Sequence, residues 1–119
     1  MKTLLTMAAK EEWKIGALDI STAFLHAELD DKEDGIYCVV PPKLLVRNGL
    51  VGANTVWKLN KVLHGLRAGP KKWSEHRDKV LKEIKVKCGD KTARLVQMTE
   101  CKNMWLIETE EGIVGRMMV

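Results

Sequence analysis

The chain has 119 residues, the size of one domain or part of one. Its 45% hydrophobic and 30% charged residues are ordinary for a soluble globular protein, and no apolar run approaches the ~18 residues of a membrane span. The three cysteines are widely spaced and form no metal-binding pair, which predicts reduced thiols. We therefore expect an intracellular protein with no signal peptide and no transmembrane segment.

The net charge of +4 is unevenly distributed along the chain. Residues 58–91 hold eleven basic and four acidic groups, a net +7, whereas the flanking regions are slightly acidic. Such a block suits a polyanionic partner, because neutralised phosphates release counterions. A solvated, lysine-rich helix face is the alternative interpretation. The charge by itself therefore favours a nucleic-acid partner without establishing one.

The first elements in chain order are a helix and a strand. Good helix formers predict a helix from Thr3 to about Glu12. The apolar residues of Lys14–Ile20 predict a strand, in which Leu18 and Ile20 point into a core. Asp19 then lies near the end of this strand, on the opposite face.

A carboxylate at the end of a half-buried strand is costly unless something binds it. A divalent metal such as Mg²⁺ is one partner for Asp19. The alternative is an N-cap acid or a salt-bridged strand end, and spacing alone favours that alternative. Ser21 can cap a short helix that runs to about Leu29.

The middle of the chain predicts turns and short strands. Residues 28–35 are an acidic segment that we expect to be a solvated turn. A strand over residues 35–40 ends at two prolines, and residues 44–53 predict a loop or irregular hairpin that turns at Asn48-Gly49. A short strand is expected at residues 55–59.

The last part of the chain predicts one long helix followed by strands. Residues 70–85 place apolar side chains on one face at helical spacing, and Pro70 fits the first turn. Three strands are expected, at residues 93–99, 104–109 and 113–119. Together these elements predict an α+β domain.

Three segments resemble copia-type retrotransposon reverse transcriptases. Residues 19–29, Asp-Ile-Ser-Thr-Ala-Phe-Leu-His-Ala-Glu-Leu, resemble the first catalytic motif of that family. Residues 36–42 resemble its Val-Tyr…Gln-Pro-Pro segment. Residues 57–73 resemble its Leu-x-Lys-x-Leu-Tyr-Gly-Leu-Lys-Gln-x-Pro-x-x-Trp segment. The three segments occur in the family's order and lie within residues 4–84.

The resemblance implies that residues 1–119 are a partial reverse transcriptase domain. The implied fold is an incomplete fingers–palm of the α+β class, with an antiparallel sheet packed on helices. The implied reaction is RNA-directed DNA synthesis by two-metal nucleotidyl transfer, with Mg²⁺ expected and Mn²⁺ as a substitute. Asp19 matches the catalytic, metal-binding aspartate, and the backbone carbonyl of Ile20 matches a second metal contact. The implied partners are an RNA or DNA primer–template and deoxynucleoside triphosphates.

The resemblance also implies nucleotide-binding residues. Phe24 matches an aromatic residue under the sugar of the incoming nucleotide, where the ring excludes a 2′-hydroxyl. His64 and Gly65 match a segment beside the templating base. His64 replaces the usual Tyr, and Ala68-Gly69 replaces Gln and a small residue, which leaves the template contact open. Nucleic-acid binding is assigned to three residues of the basic block: Arg67, Lys71 and Lys72.

The family's second acidic motif, Tyr-x-Asp-Asp, does not occur in the sequence. Residues 112–119 look like the strand that leads into it, and upstream fingers, thumb and RNase H segments are also missing. We therefore expect a fragment that is inactive in isolation. A non-catalytic nucleic-acid-binding remnant of the same scaffold is the alternative hypothesis, and an unrelated lysine-rich adaptor is a third.

Overall fold

The computed structural model describes residues 2–119, which divide into two compact units. One unit contains residues 2–20 and 78–119, and the other contains residues 21–77. The helices are α1 (Lys2–Lys10), a 3-10 helix (Ala23–His26), α2 (Lys43–Arg47) and α3 (Gly69–Glu83). The strands are β1 (Cys38–Val39), β2 (Trp57–Lys58), β3 (Lys85–Cys88), β4 (Lys91–Gln97), β5 (Met104–Thr109) and β6 (Gly112–Met118). This combination confirms the predicted α+β class.

A four-stranded antiparallel sheet dominates the first unit. Its strand order is β3-β4-β5-β6, so each strand pairs with its neighbour in sequence. The turn between β3 and β4 consists of Gly89 and Asp90, and Gly89 has the positive φ of +63° that tight hairpin turns favour. An irregularity between Ile107 and Glu108 shifts the register of the β5–β6 pair.

The core of this unit lies on one face of the sheet. Ala93 and Leu95 occupy alternate positions of β4, and both are buried. Trp105 on β5 is fully buried and lies opposite Gln97 of β4. Alternation puts these side chains on the same face, because residues two apart in a strand point the same way. The indole Nε1 of Trp105 has no hydrogen-bond partner among the described residues.

Helix α3 contacts the sheet through a polar side chain. Gln97 Nε2 donates to Asp78 Oδ2 at 2.8 Å and to the backbone carbonyl of Lys102 at 2.8 Å. The helix confirms the one predicted at residues 70–85 and begins with Gly69 and Pro70. Pro70 is tolerated there because the first turn of a helix has no intrahelical partner for its N–H groups.

Short antiparallel contacts organise the second unit. Leu29 N–H donates to the Asn60 carbonyl and Val62 N–H donates to the Ala27 carbonyl, both at 3.0 Å. Ala27 and Val62 are buried almost completely. Further along the same two stretches β1 pairs with β2. Residues 27–39 and 57–62 are therefore held together by backbone hydrogen bonds.

The strand predicted at Lys14–Ile20 is wrong. Residues 14–20 have no regular secondary structure, and every residue from 11 to 20 is exposed. Leu18 is 83% exposed and Ile20 is 47% exposed, so neither points into a core. A strand needs a partner for its backbone groups, and no strand within residues 2–119 pairs with this segment.

Three other local predictions also differ from the structure. Instead of a helix capped by Ser21, Thr22 has a left-handed φ of 53° and precedes a short 3-10 helix with no side-chain cap. Residues 43–47 form α2 where a loop was expected, although Asn48-Gly49 does end that helix. β3 was not anticipated: no strand was predicted at residues 85–88, and the predicted helix ended at Lys85. Within residues 2–119, no helix has the length and apolar character needed to cross a membrane.

Candidate functional site

Asp19 lies in the exposed segment of residues 11–20. Its carboxylate makes no hydrogen bond or ion pair with any residue that the structure describes. A salt-bridged strand end is therefore not what the structure shows for this acid. Asp19 is open to solvent and to ligands.

Trp13 anchors the beginning of the exposed segment to the sheet. Its backbone N–H donates to the Ala8 carbonyl at 2.8 Å, which closes the last turn of α1. The guanidinium of Arg116, on β6, lies 5.2 Å from the centre of the Trp13 ring. This distance is within the range of a cation–π contact. The segment that carries Asp19 thus begins from a fixed point on the sheet.

The metal donors near Asp19 are few. A cluster of three or more His, Cys, Asp or Glu side chains suited to a metal is not found within residues 2–119. Asp19 offers a carboxylate and Ile20 a backbone carbonyl, and both are oxygen donors of the kind that Mg²⁺ prefers. The chemistry of these two groups fits Mg²⁺, and together they would supply part of a coordination shell.

Phe24 and His64 meet in the second unit. Their ring centres are 4.8 Å apart and their planes are inclined at 76°, an edge-to-face arrangement. They meet because the hydrogen bonds between residues 27–29 and 60–62 bring the flanking residues together. Phe24 is half-buried and His64 is exposed. Two residues predicted to bind a nucleotide are therefore in contact with each other.

Two glycines beside this pair have different roles. Gly65 has a φ of +92° and open space where a side chain would project, so it forms a turn after His64. Gly69 is buried, and a Cβ there would lie 3.2 Å from Val62 Cγ1 and 3.5 Å from the Phe24 ring. Gly69 thus allows the start of α3 to approach Phe24 closely.

Arg67 and Lys71 are exposed, as a nucleic-acid contact requires. The Lys71 side chain is 79% exposed, and its ammonium lies 3.8 Å from Glu75 one helical turn later. Such exposed pairs are weak and solvent-screened. Both cations are available to a polyanion.

Lys72 differs from its neighbour. Its side chain is only 12% exposed, and its ammonium lies 2.9 Å from Glu33 and 3.1 Å from Asp34. The Asp34 side chain is 7% exposed, so the acidic segment is not wholly solvated as predicted. Because two carboxylates already occupy its ammonium, Lys72 is not placed to contact phosphates as the sequence suggested. No sequence pattern links residues so far apart.

The ion pairs shift the pKa values of both partners. The pKa of Asp34 is lowered, first by the hydrogen bond from the Asp30 N–H and then by the Lys72 ammonium. The pKa of Lys72 is raised by its contacts with Glu33 and Asp34. Asp34 Oδ2 accepts from the Asp30 N–H at 2.9 Å, and Asp30 accepts from the Lys32 N–H at 2.8 Å. The acidic turn is therefore folded onto α3 by defined contacts.

Comparison with known proteins identifies the family. The family described as "Reverse transcriptase (RNA-dependent DNA polymerase)" matches residues 1–108. The chain is 34% identical over 82 residues to the "Retrovirus-related Pol polyprotein from transposon TNT 1-94" of Nicotiana tabacum. It is 33% identical over 73 residues to the "Retrovirus-related Pol polyprotein from transposon RE1" of Arabidopsis thaliana.

The matches cover much of this chain and little of its relatives. They span 69% and 61% of the chain, but only 6% and 5% of the two polyproteins. No solved structure matches the chain significantly. The family match extends over most of the sequence and includes the segment of Asp19 and the Phe24–His64 contact. The chain therefore belongs to the reverse transcriptase (RNA-dependent DNA polymerase) family.

Proposed function

We propose that residues 1–119 are part of the fingers–palm region of an RNA-directed DNA polymerase from a copia-type retrotransposon. The family match and the two Pol polyprotein relatives support this proposal. The observation that carries the chemistry is the state of Asp19. Its carboxylate stands exposed and unpaired within the described residues, inside the segment that resembles the first catalytic motif.

Asp19 and the carbonyl of Ile20 would hold Mg²⁺, or Mn²⁺ in its place. When bound, the metal supplies activation of the primer's 3′-hydroxyl and neutralisation of charge on the triphosphate. An unpaired acid suits this role, because a carboxylate already neutralised by a lysine would bind the cation less well. Ligands from a second acidic motif would complete the site.

Phe24 would form the wall under the sugar of the incoming nucleotide. Its edge-to-face contact with His64 restricts how the ring can turn. A fixed apolar ring offers no hydrogen bond to a 2′-hydroxyl and occupies its space. The open space at Gly65 would allow a base to approach beside His64.

Arg67 and Lys71 would contact the phosphates of the primer–template. Both are exposed, and the ion pair of Lys71 with Glu75 is itself exposed to solvent. Lys72 would instead act indirectly, because its bonds to Glu33 and Asp34 fix the start of α3. Contacts of this kind give sequence-independent, salt-sensitive affinity.

A non-catalytic nucleic-acid-binding remnant is the second candidate. The exposed cations at Arg67 and Lys71 favour it equally, because they do not depend on Asp19. The two candidates differ in chemistry and not in binding. Only nucleotide addition separates them.

Primer extension tests the first candidate. The matched segment of this chain is grafted in place of the corresponding segment of the tobacco polyprotein's reverse transcriptase. We expect extension with Mg²⁺ that disappears in Asp19→Ala. A folded graft that binds primer–template but does not extend it would favour the remnant.

The isolated chain is expected to be inactive. Asp19 and Ile20 supply donors from one side only, and residues 108–111 precede the last strand instead of following it. The 119-residue protein should therefore not extend a primer with Mg²⁺ or Mn²⁺. Extension that is lost in Asp19→Ala would show that another acid of this chain completes the site.

A further inference from the structure

A basic groove lies beside β4 in the unit of residues 2–20 and 78–119. It is an open depression with a volume of about 540 Å³. Three cations from separate parts of the chain line it: Lys82 from α3, Arg94 from β4 and Lys102 from the turn after β4. No carboxylate is among the described residues that line it. The groove could not be predicted from charge along the sequence, because Arg94 and Lys102 fall in residues 92–119, which carry a slight net negative charge.

The groove exists because β3 is shorter than β4. β3 begins at Lys85, opposite Arg94, so the described part of the sheet gives residues 95–97 no partner on that side. The hydrogen bond from Met98 N–H to the Met104 carbonyl fixes the alternation along β4. Backbone groups of Leu95 and Gln97 are thereby directed away from β5 and into the groove.

The walls are held in place by polar contacts. Gln97, on the floor, donates to Asp78 of α3 and to the carbonyl of Lys102, both at 2.8 Å. These two bonds fix the helix on one side and the turn on the other.

The cations of the groove differ in their ion pairing. Arg94 is 76% exposed and forms an ion pair with Glu108 at 3.3 Å. Lys82 and Lys102 make no ion pair with any described residue, so their charges are available.

We propose that this groove binds the sugar–phosphate backbone of a nucleic-acid strand. Lysine ammonium groups and strand-edge N–H groups are the donors that phosphate oxygens accept from. Val96 and Met98 give an apolar wall suited to sugar rings. The site uses neither Asp19 nor metal, and it shares no residue with the contacts proposed for Arg67 and Lys71.

The test measures binding of a labelled oligothymidylate of about 20 nucleotides to the full 119-residue chain by fluorescence anisotropy. It is performed in EDTA across a series of salt concentrations. The groove variant is Lys82→Gln with Lys102→Gln. The matched control is Lys10→Gln with Lys43→Gln, which removes two exposed lysines from elsewhere.

We expect the groove variant to bind about tenfold more weakly at low salt and to lower the salt slope by about 1.4, the value for two contacts to a single strand. The control should lose less than about twofold, and Lys82→Arg with Lys102→Arg should keep wild-type affinity. Equal losses in the groove variant and the control, or no loss in either, would overturn the proposal.

A second arm distinguishes a strand from free polyphosphate. Inorganic tripolyphosphate, at equal phosphate concentration, should compete poorly with the oligonucleotide. Competition as strong as that of unlabelled oligonucleotide would overturn the assignment to a nucleic-acid backbone. Because these measurements need no metal and no extension, their failure would leave the polymerase proposal to be judged by its own assay.

Discussion

The four-stranded sheet and the segment of residues 11–20 belong to the same unit, yet they are built differently. The sheet buries Ala93, Leu95 and Trp105 and pairs its strands continuously. Every residue of the segment is exposed, and the carboxylate of Asp19 is unpaired within the described residues. The stable framework and the candidate chemistry are therefore carried by separate residues. Substitutions should therefore divide into those that unfold the protein and those that leave its stability unchanged.

The largest effect is expected at the centre of the sheet. Trp105→Ala should lower the free energy of unfolding by about 3–5 kcal/mol, because it empties the largest buried site. Chemical denaturation monitored by circular dichroism measures this loss. Trp105→Phe should cost less, since it keeps most of the ring and removes an unpartnered N–H.

Trp13→Ala is the matched control for the sheet. Trp13 is 39% exposed and its ring makes a cation–π contact with Arg116, so its loss should cost about 1 kcal/mol. Equal losses at Trp13 and Trp105 would remove the distinction between the sheet and the exposed segment.

The next-largest change in the free energy of unfolding is expected at Gly69, for which Gly16 in the other unit is the comparison. Gly69→Val should destabilise by about 1–3 kcal/mol, because a side chain would press on Val62 and Phe24. Gly16 has open space around it and lies in the exposed segment. Gly16→Ala should be neutral or stabilise by up to about 1 kcal/mol through the unfolded chain. If Gly69→Val were also neutral, the close approach of α3 to Phe24 would be wrong.

The paired lysines of α3 provide a pH-dependent comparison. Lys72→Met should lower the melting temperature more than Lys71→Met, because Lys72 is enclosed by two carboxylates and Lys71 is solvated. The Asp34 pKa is lowered, so its contribution is present above its ordinary value of 3.8 and is lost as the pH falls through the lowered value. The Lys72 pKa is raised, so its contribution is lost only as the pH rises above 10.5.

Melting curves of the two variants from acid to alkaline pH test this prediction. The difference between Lys72→Met and the wild-type protein should be constant near neutrality and should shrink below about pH 4. A difference that grows in acid would contradict the ion pair with Asp34.

The smallest effect on stability is expected at Asp19. Asp19→Asn should change the free energy of unfolding by less than about 0.5 kcal/mol, because the side chain is exposed and unpaired within residues 2–119. Mn²⁺ binding, followed by water-proton relaxation, should nevertheless weaken. A large loss of stability without a change in Mn²⁺ binding would make Asp19 a structural acid.

Sequence periodicity predicted the elements that pack against a neighbour. The helix at α3 and the strands β4, β5 and β6 were expected within a few residues. The burial that such patterns imply is found in β4 and β5, whereas Ile113 and Val114 of β6 are more than half exposed. The apolar run within Lys14–Ile20 also predicted a strand and was misleading, because an apolar run does not show whether a neighbouring strand exists to pair with it. No strand was predicted at β3, whose first residue, Lys85, was the last residue of the predicted helix.

The candidate site was only partly predictable. The motif resemblance selected Phe24 and His64, and the structure brings their rings into contact. It also selected Lys72, whose ammonium is occupied by Glu33 and Asp34. Ion pairs across nearly forty positions depend on how the chain folds back, and local composition carries no trace of them. The same limit hides the groove lined by Lys82, Arg94 and Lys102.

The contact between Trp13 and Arg116 gives the protein its own optical reporter. The chain has four tryptophans, and Trp13 is the one that lies six residues before Asp19, beneath a guanidinium on β6. A cation held over an indole alters its emission, so movement of residues 13–20 away from the sheet would change the fluorescence of this one ring. Replacing Trp57 and Trp73 with Phe would leave Trp105 as a buried internal standard. Events at the exposed acid could then be followed without an attached dye.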